Sequence, residues 1–284
     1  KADRIYIAGD DDQAIYRWAG ADVDYLIKNS TTALILKQSF RIPSLVHEIA
    51  TKCIDQVSSR IRKNWNPRKE VGMVQWESSY EHINMSESDW LVLARTNYLL
   101  EGVEEHCRSE GWFFKKKNWP SISEKKIKAV KDWENFRTGS SLLMTEVTNI
   151  LNYMRLHVPK PLQNSEFDRL ITIEEALKDC PQLKNEYWHD CFNGLSVKEI
   201  SYIRAMLRRG EKITKEPRIR LSTIHAAKGT EATNVVLLTD LSTRIYNSYK
   251  DNPEDEARVF YVGLTRAKQN LFLIEPKSQK CFPL

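Results

Sequence analysis

Short apolar runs separated by polar loops recur over the first hundred residues and again after residue 216. The runs that predict strands cover residues 4–9, 33–36, 71–76, 91–94, 218–222, 235–238 and 270–275. The run at 235–238 is continuously apolar, which is typical of a strand that a parallel sheet buries on both faces, whereas 218–222 alternates charged and apolar positions. The pattern therefore predicts a parallel sheet.

Apolar residues at spacings of three and four predict helices behind several of these strands. The first helix follows Pro43 and carries Val46, Ile49, Ala50, Cys53, Ile54 and Val57 on one face, and the second carries Leu99, Leu100, Val103 and Cys107. Ser121 and Glu124 form a capping-box pattern before a third helix. Between about 139 and 215 only helical patterns occur, so we expect a small all-helical insertion between two halves of an α/β domain.

A polar loop joins the runs at 218–222 and 235–238. It contains Thr223, His225, Lys228, Gly229 and Glu231. Open α/β sheets place their ligand contacts in loops at the carboxyl ends of parallel strands, and this mixture of side chains suits phosphates and sugar hydroxyls. The same polarity also fits an ordinary solvated loop, because Lys-Gly pairs are common in turns.

Two further stretches have charges that suit phosphate chemistry. Residues 10–12 are three consecutive aspartates followed by Gln13 and two aromatic residues, which suggests a cation and phosphate site beside a stacking surface. On a helix, Arg258, Tyr261, Thr265 and Arg266 would share one polar face and turn two guanidinium groups the same way. A solvated turn and surface arginines are the alternative interpretations.

Composition narrows the class of protein. With 284 residues and 41% hydrophobic content, the chain is long enough for roughly two domains with packed cores. No apolar run approaches the roughly 20 residues that cross a bilayer, so we expect no membrane partner and a cytoplasmic protein of a bacterial or phage-infected cell. The five cysteines are scattered and predict neither a disulfide framework nor a zinc finger, and Cys180, His189 and Cys191 fit no standard metal site.

A net charge of +5 mildly favours polyanionic partners, and two basic clusters strengthen that expectation. The lysines at 115–117 adjoin the aromatic residues Trp112, Phe113, Phe114 and Trp119. The second cluster comprises Arg208, Arg209, Lys212, Lys215, Arg218 and Arg220. Cations interleaved with flat rings suit single-stranded nucleic acid, although a solvated helix end and ordinary packing explain either cluster equally well.

Several of these stretches resemble motifs of the UvrD/Rep/PcrA group of superfamily 1A DNA helicases. Residues 9–21, GDDDQAIYRWAGA, resemble motif III, and residues 38–43, QSFRIP, resemble motif IV. Residues 95–97 resemble motif IVa, the loop with Lys228 and Gly229 resembles motif V, and residues 256–267, EARVFYVGLTRA, resemble motif VI. The motifs occur in family order across nearly the whole chain.

The resemblance implies an ATP-driven translocase that moves 3′ to 5′ on single-stranded DNA, with ATP between two RecA-like domains. Residues 1–30 would be a remnant of the first domain that carries motif III. Residues 31–138 and 216–284 would form the second RecA-like domain, and 139–215 a shortened helical subdomain 2B. The expected fold is thus a RecA-like parallel sheet flanked by helices, with a small all-helical insertion.

The resemblance also implies roles for individual residues. Gln13 matches the glutamine that senses the γ-phosphate, Phe40 the ring that stacks on adenine, and Arg41 and Arg266 the arginines that contact the γ-phosphate. Lys228 and Gly229 match residues near the nucleotide, and Glu231 the carboxylate that binds the ribose. The positions that match single-stranded DNA contacts are Tyr16, Trp18, Arg95, Asn97, Thr223 and His225.

The chain departs from the family pattern at Ala19, Ala257 and Thr230, which replace two arginines and a leucine. It contains no G-x-x-x-x-G-K-[ST] sequence and no D-E-x-x box before motif III, so it lacks the phosphate-cradling lysine and the magnesium carboxylates. ATP and Mg²⁺ are therefore expected cofactors that require a missing amino-terminal RecA-like lobe.

Two hypotheses from different classes remain open. The chain is the carboxyl-terminal part of an ATP-dependent DNA helicase, an interpretation favoured by a sequence that begins near motif III with Lys1 in place of an initiator methionine. Alternatively, it is a non-catalytic module that binds single-stranded DNA or a partner helicase. A third possibility, a helicase and nuclease fusion, lacks support because no nuclease carboxylate cluster follows the last strand within this sequence, but it stays open for residues beyond Leu284.

Overall fold

A seven-stranded sheet forms the centre of the first of two structural units. The computed structural model describes residues 8–28, 34–162, 168–213 and 216–284. The first unit combines Lys1–His106, Phe114–Trp119 and Glu216–Leu284, and the second combines Cys107–Phe113 and Pro120–Lys215.

The strands, numbered along the chain, are β1 (Met73–Glu77), β2 (Trp90–Ala94), β3 (Phe114–Lys116), β4 (Trp119–Pro120), β5 (Leu142–Leu143), β6 (Leu170–Ile171), β7 (Ile219–Thr223), β8 (Ala232–Leu238) and β9 (Ala267–Ile274). The helices are α1 (Val23–Lys28), α2 (Ser44–Ile54), α3 (Glu101–Ser109), α4 (Glu124–Arg137), α5 (Met144–Met154), α6 (Ile173–Asp179), α7 (Trp188–Cys191), α8 (Val197–Arg209), α9 (Thr243–Asp251) and α10 (Pro253–Leu264).

The order of strands across the large sheet is β1-β9-β8-β2-β7-β3-β4. Each neighbouring pair from β1 to β3 is parallel, for example Val92 beside Leu221 and Val236 beside Phe272. Strand β2 is buried along its whole length, as the apolar run predicts for a central parallel strand. The predicted α/β fold, a parallel sheet flanked by helices, is confirmed.

Helices α2 and α10 cover the sheet and complete its core. Val46 and Ala50 of α2 and Phe260 of α10 belong to the same buried cluster as Leu237 and Leu271 of the strands. The predicted apolar face of α2 is therefore confirmed. Within the described ranges, every helix is too short or too polar to cross a lipid bilayer.

Two connections of this sheet determine where functional side chains lie. Strands β8 and β9 are parallel neighbours, so α10 must return the chain from the carboxyl edge of the sheet to its amino edge. Residues 224–231 do the same between β7 and β8, which are both parallel to β2. Each connection therefore has one end at each edge of the sheet.

The second unit is mainly helical. Trp133 and Phe136 of α4 and Tyr202 of α8 are fully buried, and the Trp133 indole donates to the Glu186 carbonyl over 2.9 Å. Helix α8 starts at Ser196, whose hydroxyl accepts from the Glu199 backbone while Glu199 reaches back, and stops at a left-handed glycine, Gly210. These caps explain why this segment is helical.

Three sequence predictions differ from the structure. Residues 34–36 form no strand, and Leu34 and Leu36 are 88% and 82% exposed because they pair with no strand in the described part of the chain. Residues 4–7 and Ala33, which belong to two predicted strands, lie outside the described residues. The helical pattern at 139–215 is interrupted by β5 and β6, two short strands of two residues each that pair in an antiparallel arrangement.

The third difference concerns Ser121. Helix α4 begins after Ser123, and the Ser121 hydroxyl instead lies 2.7 Å from the Tyr202 hydroxyl. The predicted capping box was therefore wrong, because a packing contact takes up the serine. Helix α4 also belongs to the second unit, which thus begins well before residue 139.

Candidate functional site

The three aspartates at 10–12 are held by two cations that come from the loop after α2. The Arg60 guanidinium donates to both carboxylate oxygens of Asp12 over 2.8 and 2.9 Å. The Lys63 ammonium lies 2.5 Å from Asp11, 2.9 Å from Asp12 and 3.4 Å from Asp10. Asp11 and Asp12 are buried, so the short 3₁₀ helix at Asp11–Gln13 is fixed to the sheet domain by buried charge pairs.

This arrangement corrects the interpretation of the aspartates as a cation site. Lys63 and Arg60 already occupy the carboxylate oxygens that an ion would need. Burial by itself would lower the pKa of Lys63, but hydrogen bonds to Asp11 and Asp12 outweigh it and raise the pKa. The hydrogen bond to Asp12 likewise raises the pKa of Arg60. Among the described residues, no group of three acidic, histidine or cysteine side chains could hold a metal ion.

Fixing the aspartates also fixes Gln13. The side-chain amide nitrogen of Gln13 donates to Asp10 Oδ2 over 2.5 Å. The backbone carbonyl of Gln13 accepts from the Lys228 ammonium over 2.8 Å. The remaining amide oxygen, Oε1, lies 3.4 Å from Nη2 of Arg266. The structure therefore brings together three of the predicted nucleotide residues, which are far apart in sequence.

Arg266 follows the last turn of α10 and is 2% exposed. Its guanidinium donates to the carbonyls of Val262 at 2.9 Å and Thr230 at 3.3 Å. Burial, followed by repulsion from Arg41, lowers the pKa of Arg266 from its ordinary value to about 10. The side chain therefore keeps its charge at neutral pH although it is buried.

The motif VI helix presents its polar residues differently from the prediction of one shared polar face. Arg258 is completely buried and donates to the carbonyls of Asp11 and Ser59, so it is a packing residue. Helix α10 ends at Leu264, and Thr265 caps it. Arg266 is therefore directed by the turn after the helix, and Arg258 and Arg266 do not form a paired clamp.

Arg41 and Glu231 lie at the same edge of the sheet as Arg266. Nη1 of Arg41 is 3.7 Å from Glu231, whose other oxygen is 3.3 Å from the Lys268 ammonium. The Nε atom of Arg41 is buried and has no hydrogen-bond partner among the described residues. Beside it, the Phe40 ring is 88% exposed. An unpartnered guanidinium nitrogen beside an exposed ring suits a ligand that combines an anion with an aromatic group.

The sequence predicted that the whole 224–231 connection lies at the carboxyl edge of the sheet. In the structure only its first part does. Thr223 and His225 stand at that edge, but Glu231 immediately precedes β8 and therefore stands at the amino edge. Gly229, with a φ of 86°, makes the turn between them, in a backbone region that residues with a Cβ rarely adopt. Lys228 and Gly229 are both exposed on this crossing segment.

A pocket of about 670 Å³ opens at the carboxyl edge, at the opposite end of these connections. All six predicted DNA contacts belong to this region: five line the pocket, namely Trp18, Arg95, Asn97, Thr223 and His225. The sixth, Tyr16, donates its hydroxyl to the His225 carbonyl over 2.9 Å and lies 6.3 Å from the Trp18 ring. Trp18 is 78% exposed, so its ring is free to stack on a ligand.

Two arginines of this pocket are engaged in ion pairs. Arg95 donates to Glu256 over 2.5 Å, and Arg17 lies 3.2 Å from Asp255. Burial raises the pKa of Glu256, and the ion pair with Arg95 opposes that rise. Burial, followed by repulsion from Arg95, lowers the pKa of His225 from 6.5 to about 4, so this imidazole is neutral near pH 7.

Residues 122–278 match the family model of the UvrD-like helicase C-terminal domain, which is more than half of the chain. This chain belongs to that family. The chain is 27% identical to the ATP-dependent DNA helicase Rep of Buchnera aphidicola, over 53% of the chain and 25% of Rep. It is 22% identical to the ATP-dependent DNA helicase PcrA of Bacillus subtilis, over 98% of the chain and 52% of PcrA.

The chain thus spans about half of PcrA and a quarter of Rep. It is also 25% identical to DNA helicase II of Rickettsia typhi, over 61% of the chain and 26% of that protein. The alignment with PcrA extends over 387 positions, more than the 284 residues of the chain, so PcrA carries additional segments within the aligned region.

The basic clusters do not form stacking surfaces in this UvrD-like chain. Trp112, Phe113 and Phe114 are buried, and Lys115 and Lys116 form ion pairs with Glu216 and Glu104. In the second cluster Arg209 pairs with Glu110, Arg218 donates to the Met85 carbonyl and Arg220 to the Glu231 carbonyl. Lys215 lies outside the described residues. Trp119 is the exposed ring of the first cluster, at 77%.

Sequence reasoning missed several residues of this UvrD-like site. Arg60 and Lys63 hold the aspartates, and Lys268 flanks Glu231. Arg244 lines the pocket, and Glu256 pairs with Arg95. The resemblance to the family motifs assigned no role to any of these five residues. Arg60, Lys63, Lys268 and Glu256 act through partners far along the chain, and a local pattern contains no signal for such partners.

The lowered pKa of His225 predicts a pH effect on stability. Between about pH 6.5 and pH 4 the unfolded chain binds a proton at this residue while the folded chain does not, so stability rises with pH over that window. The His225→Gln variant should therefore lose less stability than the wild type when the pH falls from 7 to 5. Thermal unfolding midpoints at both pH values measure this, and equal losses in the two proteins would contradict it.

Proposed function

We propose that this chain is the second motor domain of an ATP-dependent DNA helicase that moves 3′ to 5′ on single-stranded DNA. It supplies Arg41 and Arg266 to the nucleotide site and one side of the DNA path. In this proposal residues 1–30 derive from the first RecA-like domain, and residues 139–215 belong to a reduced subdomain 2B. The names of Rep and PcrA, both ATP-dependent DNA helicases, support the proposal.

One observation carries most of the weight. The nucleotide residues Gln13, Arg41 and Arg266 gather at one edge of the sheet, and the DNA residues gather in a pocket at the other edge. Two connections, α10 and the 224–231 loop, have one end at each place. A motor that couples ATP turnover to movement on DNA needs such shared elements, because coupling requires a structural element that both ligands bias.

The nucleotide edge fits ATP on the evidence of its own side chains. The buried Nε of Arg41 lacks an acceptor, which a phosphate oxygen would supply, and Phe40 offers an exposed ring for a base. ATP hydrolysis transfers a phosphoryl group to water through a transition state rich in negative charge. Arg41 and Arg266 are suited to stabilise that charge, and Gln13, held by Asp10 and Lys228, is suited to orient the attacking water.

In this proposal Mg²⁺ is coordinated by another part of the motor. Asp10, Asp11 and Asp12 are paired with Lys63 and Arg60, so their oxygens are not available to the metal. Glu231 lies between Arg41 and Lys268, and we propose that it exchanges one of these contacts for the ribose when nucleotide binds. A P-loop lobe would hold the metal and the outer phosphates.

The contact between the two half-sites is direct. Lys228 donates to the Gln13 carbonyl at the nucleotide side and its ammonium lies 5.3 Å from the centre of the Tyr16 ring. Tyr16 in turn donates to the His225 carbonyl at the DNA side. A displacement of Trp18 and Tyr16 by DNA would therefore be transmitted to Gln13 through two short contacts.

Replacing Trp18 should weaken binding of single-stranded DNA. Stacking on an exposed ring contributes about 1 to 3 kcal/mol per base, so Trp18→Ala should reduce affinity about tenfold or more. Fluorescence anisotropy of a labelled oligothymidylate measures the loss. Trp119→Ala is the matched control, because Trp119 is equally exposed but does not line the pocket.

Equal DNA affinity of the wild type and Trp18→Ala would contradict the proposal that this pocket binds DNA. A loss in Trp119→Ala and not in Trp18→Ala would assign DNA binding to the basic cluster at 115–117. The non-catalytic alternative shares the expected loss in Trp18→Ala, but it predicts that ATP has no influence on DNA affinity in the full-length protein.

A further inference from the structure

The pocket at the carboxyl edge contains one arginine, Arg244, that no described carboxylate neutralises. Three guanidinium groups line it, from Arg17, Arg95 and Arg244, together with the carboxylates of Asp255 and Glu256. Arg17 pairs with Asp255 and Arg95 with Glu256. Arg244 is exposed and has no ion pair among the described residues. The charge available to an anion in this pocket is therefore that of Arg244.

Helix α9 presents Arg244 as part of a polar row. Arg244, Ser248 and Asn252 stand four residues apart and line the pocket, about 6 Å from one to the next along the helix axis. Ile245, Tyr246 and Tyr249 of the same helix pack against the core of the sheet, and Ile245 and Tyr249 also line the pocket. The core thus anchors the helix while its polar row faces the pocket.

Thr96 supplies a second polar group to this pocket. The Thr96 hydroxyl is buried and makes no hydrogen bond within the described part of the chain. Leaving a buried hydroxyl without a partner is unfavourable, and a ligand acceptor would relieve that cost. Together with Arg244 and Ser248 it provides donors for an extended chain of oxygens.

We infer that α9 forms a wall of the single-strand path, with Arg244 binding a backbone phosphate while Trp18 stacks on a base. The inference rests on the proposed function and adds a contact that none of the recognised motifs contains. Sequence-independent binding needs this combination, since a phosphate contact holds the strand and a ring accepts any base.

The test is the salt dependence of binding to a labelled oligothymidylate. Removing one phosphate contact should lower the slope of log affinity against log salt concentration by about 0.7 for a single strand. Arg244→Ala should therefore bind several-fold more weakly at low salt and show that smaller slope, while Arg244→Lys should retain most of it. Lys250→Ala is the matched control, because it removes the same charge from the same helix outside the pocket.

The outcomes separate this inference from the function on which it rests. A normal slope in Arg244→Ala together with weaker binding by Trp18→Ala would overturn the phosphate contact and leave the DNA path in place. Normal binding by both variants would contradict both. An equal change of slope in Arg244→Ala and Lys250→Ala would also overturn the inference, because it would indicate a general effect of net charge.

Discussion

In the full-length protein that contains this chain, Arg266→Ala should lower the rate of ATP turnover at saturating ATP by about a thousandfold or more. The reason is that Arg266 is charged, buried and aligned with Gln13 at the nucleotide edge, so its effect should fall on the transition state. Arg266→Lys should recover little activity, because an ammonium lacks the planar fork that bonds to Val262, Thr230 and Gln13 together.

Steady-state turnover and equilibrium binding of a nucleotide analogue, measured on the same preparations, distinguish catalysis from binding. Nucleotide affinity should change much less than the turnover rate. Arg62→Ala serves as the control, since Arg62 is an exposed arginine of the same unit outside both sites. Unchanged turnover in Arg266→Ala would contradict the assigned role, and so would a fall in binding that equals the fall in rate.

Asp12→Ala should destabilise the first unit by about 3 to 5 kcal/mol, because it removes the buried carboxylate that pairs with both Arg60 and Lys63. The side chain of Asp12 is 1% exposed and that of Arg60 is 6% exposed, so water cannot replace the lost pair. The free energy of unfolding in denaturant measures the cost. Because the aspartates hold the Asp11–Gln13 turn, the same variant should also lose ATP turnover in the full-length protein.

Asp55→Ala is the matched control for this experiment. Asp55 also lies 2.8 Å from Arg60, but its side chain is 50% exposed, so its loss should cost about 1 kcal/mol or less. A similarly small loss of stability in both variants would mean that the buried Asp12 pair stabilises the fold no more than the exposed Asp55 pair does. A large cost for Asp12→Ala with normal ATP turnover would separate the anchoring of the turn from catalysis.

The sheet was predictable because its signal is local. Strand β2 and residues 235–238 of β8 are continuous apolar runs, and α2 repeats its buried residues at helical spacing, so each element is specified by its own sequence. The run at 34–36 shows the limit of that signal. An apolar run predicts burial, but Leu34 and Leu36 are exposed, because burial depends on a partner that no local pattern reveals.

The motifs identified which residues matter but not how they are arranged. Arg258 and Arg266 are close in sequence and were expected to act side by side, yet one is a packing residue and the other faces Gln13. The two ends of the 224–231 connection were expected at one edge of the sheet and lie at two. Side-chain direction at the end of α10 and the path of a crossover both follow from the tertiary fold.

The ion pairs were the least predictable feature. Arg60 and Lys63 lie 48 to 53 residues from the aspartates that they hold, in a segment with no regular pattern. The acidic run therefore resembled a site for a cation when it is the anchor of a turn. Glu256 and Arg95, 161 residues apart, form a second such pair.

ATP turnover by the full-length protein, measured with increasing oligothymidylate, tests most directly whether the two edges of the sheet serve one motor. We expect single-stranded DNA to stimulate turnover to a plateau, Trp18→Ala to require more DNA to reach it, and Arg266→Ala to lower the plateau itself. Turnover that is the same with and without DNA, or that Trp18→Ala leaves unchanged at every DNA concentration, would contradict the proposal.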